Sequence, residues 1–294
     1  MSDIKLFSLK PDVKELSSRS MELERPLQRI IEKNLEEFLG VKFIETEYST
    51  GKEHGGRIDT LGIDENNCPV IIEYKRSLNE NVMNQGLYYL DWLLDHKAEF
   101  ELLVLKKYGK DISNNIEWDS ARVVCIAGDF TKYDEHAVKQ INRNIELVRY
   151  RMYGDDFLLF ELVNAVNESK TTSNSSNIKY KTVSDNLKES EDKVSELYQI
   201  LKDYITSLGD DIQEKTLKYY IAFKRFKNFA SIEIHKKEIL VYLKLDIEKY
   251  RDDNFVRDVT NIGHFGPGNA EIRIKTKEDL EKVKEYILKS YELN

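Results

Sequence analysis

Between positions 69 and 75 the chain reads Pro-Val-Ile-Ile-Glu-Tyr-Lys. Residues 69–72 are apolar at odd and even positions alike, so an extended strand here is central and covered on both sides. A charged pair at the end of such a strand needs a reason, because buried charge without partners is costly. Period-two geometry sends Glu73 and Lys75 to the same face. Asp59, on the preceding strand, comes opposite if the turn closes near residues 65–68.

The surrounding pattern supplies the rest of a layered domain. Apolar Leu27, Ile30, Ile31, Leu35, Phe38 and Leu39 trace one face of an amphipathic helix over 25–39, with Gly40 as its stop. Runs at 41–48, 57–63 and 70–75, separated by Gly and Asn/Pro punctuation, read as a three-strand meander. Helices are expected at 79–94 and 98–107, a buried strand at 122–127, a short helix near 135–141, and strands at 146–152 and 157–163. The order αβββα(α)βαββ suits an α/β fold, a mixed sheet with helices packed on it.

Residues 167–186 turn to Ser, Thr, Asn and Lys, a linker composition. The expected division is a first domain over 1–168, a linker over 169–188 and a smaller α+β domain over 189–294. In the latter a helix is expected around residues 194–208, strands at 219–223, 231–234 and 239–245, and a closing helix from 277 to about 291.

Composition excludes several classes. With 40% hydrophobic and 33% charged residues the chain is an ordinary globular one. No stretch approaches the ~18 apolar residues needed to cross a bilayer and no leader pattern opens the chain, so a cytoplasmic location without membrane contact is expected. Cys68 and Cys125 form no disulfide or zinc pattern. Net charge is −8; residues 1–168 hold 22 Lys/Arg against 31 Asp/Glu. That argues against nonspecific phosphate neutralisation, although carboxylates that hold divalent cations count as negative until the metal arrives.

Two carboxylates and an ammonium converging at a strand end match the needs of phosphodiester hydrolysis: oxygen ligands for Mg²⁺ or Mn²⁺, and a Lys to steady developing charge. Gly56-Arg57-Ile58-Asp59, followed fourteen positions after the Asp by Glu73-Tyr74-Lys75, resembles the PD-(D/E)xK nuclease superfamily. Residues 27–32 look like its preceding helix, which contributes a further acid, and Gln85 with Tyr89 matches its Q-x-x-x-Y helix motif. The resemblance spans about residues 24–130 and looks closest to the archaeal mismatch- and branch-cleaving endonucleases. At position 58, Ile stands where the motif nominally has Pro.

The resemblance implies a restriction-endonuclease-like fold and a DNA-cleaving enzyme of repair or defence, with Mg²⁺ (or Mn²⁺) held by Glu32, Asp59 and Glu73. Asp59, Glu73, Lys75 and Gln85 would be catalytic. Related endonucleases often act as homodimers. The second half, through Phe229 to Ile234 and Gly263-His264-Phe265-Gly266-Pro267-Gly268, resembles an uncharacterised domain, some of whose relatives carry the label "predicted transport protein"; a recognition or partner-binding role is expected. The alternative is a non-catalytic nucleic-acid-binding or regulatory protein on a nuclease-like core.

Several residues carry two readings. Glu36 and Glu37 rival Glu32 as the helix acid, and Arg57 and Arg76 suit either a phosphate or a structural ion pair. His264 is a ligand contact or part of a glycine turn. Lys224, Arg225 and Lys227 among Phe223, Phe226 and Phe229 suit a nucleic-acid strand or an amphipathic strand of the fold.

Overall fold

The computed structural model describes residues 4–19, 24–75, 82–166 and 182–294. It divides into two compact units, 1–169 and 170–294.

In the first unit, short strands β1 (Leu6–Ser8) and β2 (Lys14–Leu16) form a hairpin, followed by β3 (Ser18–Arg19). Then come α1 (Glu24–Lys33), α2 (Leu35–Leu39), β4 (Val41–Ser49), α3 (Gly51–His54), β5 (Arg57–Asp64) and β6 (Pro69–Lys75). Helices α4 (Val82–Asp95), α5 (Lys97–Tyr108) and α6 (Lys110–Asn114) lead to β7 (Arg122–Ala127), α7 (Lys132–Gln140), β8 (Asn144–Tyr153) and β9 (Phe157–Val166).

The seven-stranded sheet has the order β3-β8-β7-β6-β5-β4, with β9 also paired to β8. β6, β7 and β8 run parallel, while β4, β5 and β6 form the antiparallel meander. The sheet is therefore mixed and flanked by helices. Parallel pairing requires a crossover, and α4–α6 supply it between β6 and β7. Central β6 is buried from Pro69 to Tyr74, as its two-sided apolar run demands. α4 packs very close to the sheet: a Cβ on Gly86 would fall 2.4 Å from Val123 Cγ1.

The sequence pattern and the structure differ in instructive places. The single helix expected over 25–39 is broken at Asn34, a polar residue whose φ and ψ of −127° and 28° are non-helical. The helix expected from 79 is described from Val82; 79–81, like Arg76, lie outside the described residues. Strands β1–β3 and helices α3 and α6 are too short to announce themselves by periodicity. Part of the expected 169–188 linker is ordered: α8 (Val183–Glu189) starts at a capping box between Thr182 and Asp185. Residues 169–181 lie outside the described residues.

The second unit continues with α9 (Asp192–Ser207), β10 (Gln213–Thr216), β11 (Ile221–Lys224), β12 (Asn228–Ile234), β13 (Ile239–Leu243), β14 (Arg257–Asp258), β15 (Ala270–Ile274) and α10 (Lys277–Leu293). Its antiparallel sheet has the order β10-β11-β12-β13-β15-β14. One face joins α9 and α10 in a core that includes Phe223, Phe229, Leu201 and Ile287. Because Phe223 and Phe229 are committed to that core, they cannot offer rings to a strand of bases. The nucleic-acid reading of 223–229 therefore fails, and the amphipathic one fails with it at Lys224, which is buried, while Arg225 pairs with Asp211. Likewise, His264 stacks on Tyr242 (4.4 Å between ring centroids) within a loop pressed against the sheet, where a Cβ on Gly266 would fall 2.4 Å from Ser231 Cβ.

At the end of the first sheet far from Glu73, Arg122 is buried between Asp64, which accepts a hydrogen bond from Nη1, and Glu146, whose Oε1 lies 3.1 Å from Nε. A buried triad of this kind is not a source of net stability compared with apolar residues, yet removing one member leaves uncompensated charge. Arg122→Met should lower the unfolding free energy by about 3–5 kcal/mol in urea titrations. Adding Asp64→Asn, which keeps an oxygen for the Asn66 and Cys68 amides, together with Glu146→Leu should restore most of it; a single variant as stable as the parent refutes the triad's role.

Candidate active site

β5 and β6 are paired from Ile63↔Pro69 to Thr60↔Ile72. One residue further, side chains replace the ladder. Asp59 N donates to Glu73 Oε1 (3.1 Å), and Tyr74 N donates to Asp59 Oδ2 (3.0 Å). Each carboxylate thus caps an amide of the opposite strand. The outer neighbours continue past it: β4 pairs with β5 to Ser49↔Arg57, with a gap at Glu47 and Asp59, and β6 pairs with β7 to Lys75↔Ala127.

Around this opening lies a cavity of about 350 Å³ whose wall includes Asp59, Tyr74, Gln28, Gln85 and Tyr89, with Arg25, Arg57 and Glu47. α1 contributes Gln28, whose Nε2 lies 2.8 Å from Asp59 O, 3.0 Å from Glu32 Oε1 and 3.2 Å from Thr46 Oγ1. α4 contributes Gln85 and Tyr89. Gln85 Nε2 donates to Tyr89 Oη (3.2 Å), which also accepts from Arg57 N (3.2 Å). Gly56 makes that approach possible, since a Cβ there would fall 2.5 Å from Tyr89 Cε1.

Glu73 is fully buried, and its pKa is pushed from 4.5 up to about 9. Burial is the main cause; the repulsion of Asp59 adds to it, while the Asp59 amide and the charge of Lys75 pull the other way. Among the described residues Glu73 Oε2 has no hydrogen-bond partner. A buried carboxylate beside another carboxylate, with one oxygen unanswered, holds a proton unless a cation takes its place.

The predicted residues separate into two groups. Asp59 and Glu73 meet, Gln85 lines the same cavity, and Lys75 follows two residues on along β6. Glu32 stands apart. Thr60 Oγ1 donates to Glu32 Oε1 (2.6 Å) and lies 3.2 Å from Tyr74 Oη. Tyr74 alternates with Glu73 across the strand, so Glu32 belongs with the opposite face of the sheet. Among the described residues no group of three His, Cys, Asp or Glu side chains could hold one metal ion. What the chain offers is a hard-oxygen pair, Asp59 and Glu73. That suits a cation of the Mg²⁺ type, which takes one or two carboxylates and keeps water and substrate oxygens for its remaining positions.

Sequence reasoning missed Gln28 and Glu47. Gln28 precedes Glu32 by one helical turn, a spacing that signals a shared face. Nothing in the sequence marks Glu47.

The Glu73 shift has a measurable consequence. Its folded pKa lies above the unfolded one, so its contribution to stability is complete below about pH 4.5 and is lost progressively as pH rises towards about 9. In EDTA, unfolding free energy should fall across that window, and Glu73→Gln should flatten the slope. A parent and variant with superimposable pH–stability curves would show that Glu73 titrates normally.

Comparisons with known proteins follow the two units. Residues 183–294 match a family described as "Domain of unknown function (DUF5655)". Two solved structures are similar to this chain over 49% of its length: a repair endonuclease from Pyrococcus abyssi (17% identity, TM-score 0.30) and an EndoMS–dsDNA complex (17% identity, TM-score 0.26). The chain spans about three fifths of each, 60% and 59%. Among the described residues no helix is long and apolar enough to cross a membrane. A Haemophilus influenzae protein, described as an "uncharacterized protein", is 32% identical over 295 residues, covering 95% of this chain and 97% of its own. Matched along nearly its whole length at that identity, the chain belongs to the same family as the Haemophilus influenzae protein.

Proposed function

We propose that this protein is a metal-dependent endonuclease that hydrolyses DNA phosphodiester bonds in repair or defence. The observation that carries the reading is the Asp59–Glu73 pair at the opened end of β5 and β6, with a buried glutamate oxygen that lacks a partner and Lys75 two residues further on. The motif resemblance in the sequence points the same way.

In this reading Asp59 and Glu73 hold Mg²⁺ or Mn²⁺. The chemistry supplied there would be polarisation of a phosphate oxygen and a lowered pKa for an attacking water. A cation bound there would displace the proton that burial favours on Glu73. Lys75 places an ammonium where negative charge grows on the phosphate. Gln85, oriented by Tyr89, positions water or phosphate at the cavity wall. Glu32 acts at one remove, through Thr60 and Gln28, and its role is to fix α1 against β5. The second unit serves as a recognition or partner-binding module, and a homodimer would allow both strands of a duplex to be cut.

A panel of single-stranded, duplex, mismatched and branched DNA, incubated with Mg²⁺, Mn²⁺ or EDTA, tests the proposal. Cutting that requires the metal is expected. Asp59→Ala and Lys75→Ala should each reduce the rate by at least about a hundredfold, in line with the loss of a metal ligand or of a charge-stabilising group. Both variants should keep the parent's circular dichroism. Undiminished cleavage in both, or no cleavage of any substrate by the parent, rules the site out. Calorimetric titration with Mn²⁺ separates this reading from a pure binding module, for which no heat of metal binding is expected.

A further inference from the structure

Glu47 on β4 has a left-handed backbone, with φ of 51°. The other described non-glycine residue of this kind is Asn67, a type that adopts the conformation readily in turns. A glutamate does not, and strained backbone of this sort persists where the surroundings impose it, often beside a ligand. The ladder pairs Thr46 with Thr60 and Tyr48 with Ile58, which leaves Glu47 opposite Asp59. Glu47 joins the wall of the Asp59 cavity, and its Oε2 lies 3.1 Å from Nη1 of Arg57. The Arg57 side chain is 61% exposed and that of Glu47 32%.

We propose that Arg57 is a phosphate-binding residue of this cavity and that Glu47 is a positioning residue that holds Arg57 at its mouth until a backbone phosphate of a nucleic-acid strand displaces the carboxylate. The inference rests on the nuclease reading and names a device within it. Three physical points support it. A half-exposed ion pair is weak in water, so the exchange costs little. A guanidinium meets phosphate through two parallel hydrogen bonds, a geometry as good as the one it leaves. Arg25, on the same cavity wall, supplies a second cation, while Glu47 left in place repels any polyanion that does not engage Arg57. The latch thus favours strands whose phosphate reaches the Asp59 side of the cavity.

The test is a double-variant cycle read by fluorescence anisotropy of a labelled oligonucleotide in EDTA, where no cleavage occurs. Asn tolerates positive φ, so Glu47→Asn removes the charge and keeps the backbone. Glu47→Asn should bind about three- to tenfold tighter. Arg57→Gln should bind about tenfold weaker, and its log K against log salt should be shallower by about 0.9, one phosphate contact. In the double variant the gain from Glu47→Asn should vanish. Inorganic phosphate should compete more effectively against Glu47→Asn than against Arg57→Gln. A gain of equal size in both backgrounds would mean a general charge effect and overturn the latch, as would an unchanged salt slope in Arg57→Gln. If the parent binds oligonucleotides but the cycle is additive, only this inference falls. If the parent binds none, the nuclease reading falls with it.

Discussion

Where β5 and β6 separate, two carboxylates do the work of a missing hydrogen-bond ladder. Asp59 accepts the Tyr74 amide and Glu73 accepts the Asp59 amide, so both acids are fixed by backbone rather than by long flexible contacts. Three consequences follow. The strands open far enough for a cavity that touches α1 on one side and α4 on the other. Glu73 is drawn into a site where it cannot comfortably be charged. One oxygen of Glu73 is left facing no donor.

The opening is tolerable because the sheet is held at its other end. Arg122 on β7 ties Asp64 on β5 to Glu146 on β8 in a buried triad, and β6 remains flanked by continuous parallel pairing with β7. A rigid far end and a splayed near end are what a site needs when its groups must be positioned to fractions of an ångström. Polar residues on the helices complete the support: Gln28 braces α1 on β5, and Tyr89 braces α4 on the chain entering it. In the second unit, by contrast, the Gly-rich loop over Ser231 and Tyr242 is explained by close packing, with glycines where a Cβ would collide with the sheet.

Much of the first unit was legible from periodicity. The strand at 122–127 and the boundaries of β5 and β6 follow directly from apolar runs and turn residues, because a buried sheet leaves no freedom in which residues are apolar. Short elements such as β1, β3 and α6 carry too few residues to show a period. β10 and β15 escaped notice for a different reason: Gln213, Lys215 and Glu271 are polar yet buried, so the pattern there looks solvated. At the site, the spacing of Asp59 and Glu73 was sufficient to bring these two acids together. The position of Glu32 was not, since its helical face said that it points inward but not which side of the sheet α1 covers.

The sequence by itself therefore determined the central strand, the acids at its end and their shared face, because alternation along an extended chain is a local rule that needs no knowledge of distant residues. Only the tertiary structure decided that Glu32 would answer Thr60 instead of joining the acidic pair, that Gln28 would brace Asp59, and that Glu47 would turn left-handed to meet Arg57. Those outcomes depend on where helices settle against a sheet and on a local irregularity of β4. Both are set by packing among residues far apart in the chain, and neither leaves a periodic mark in it.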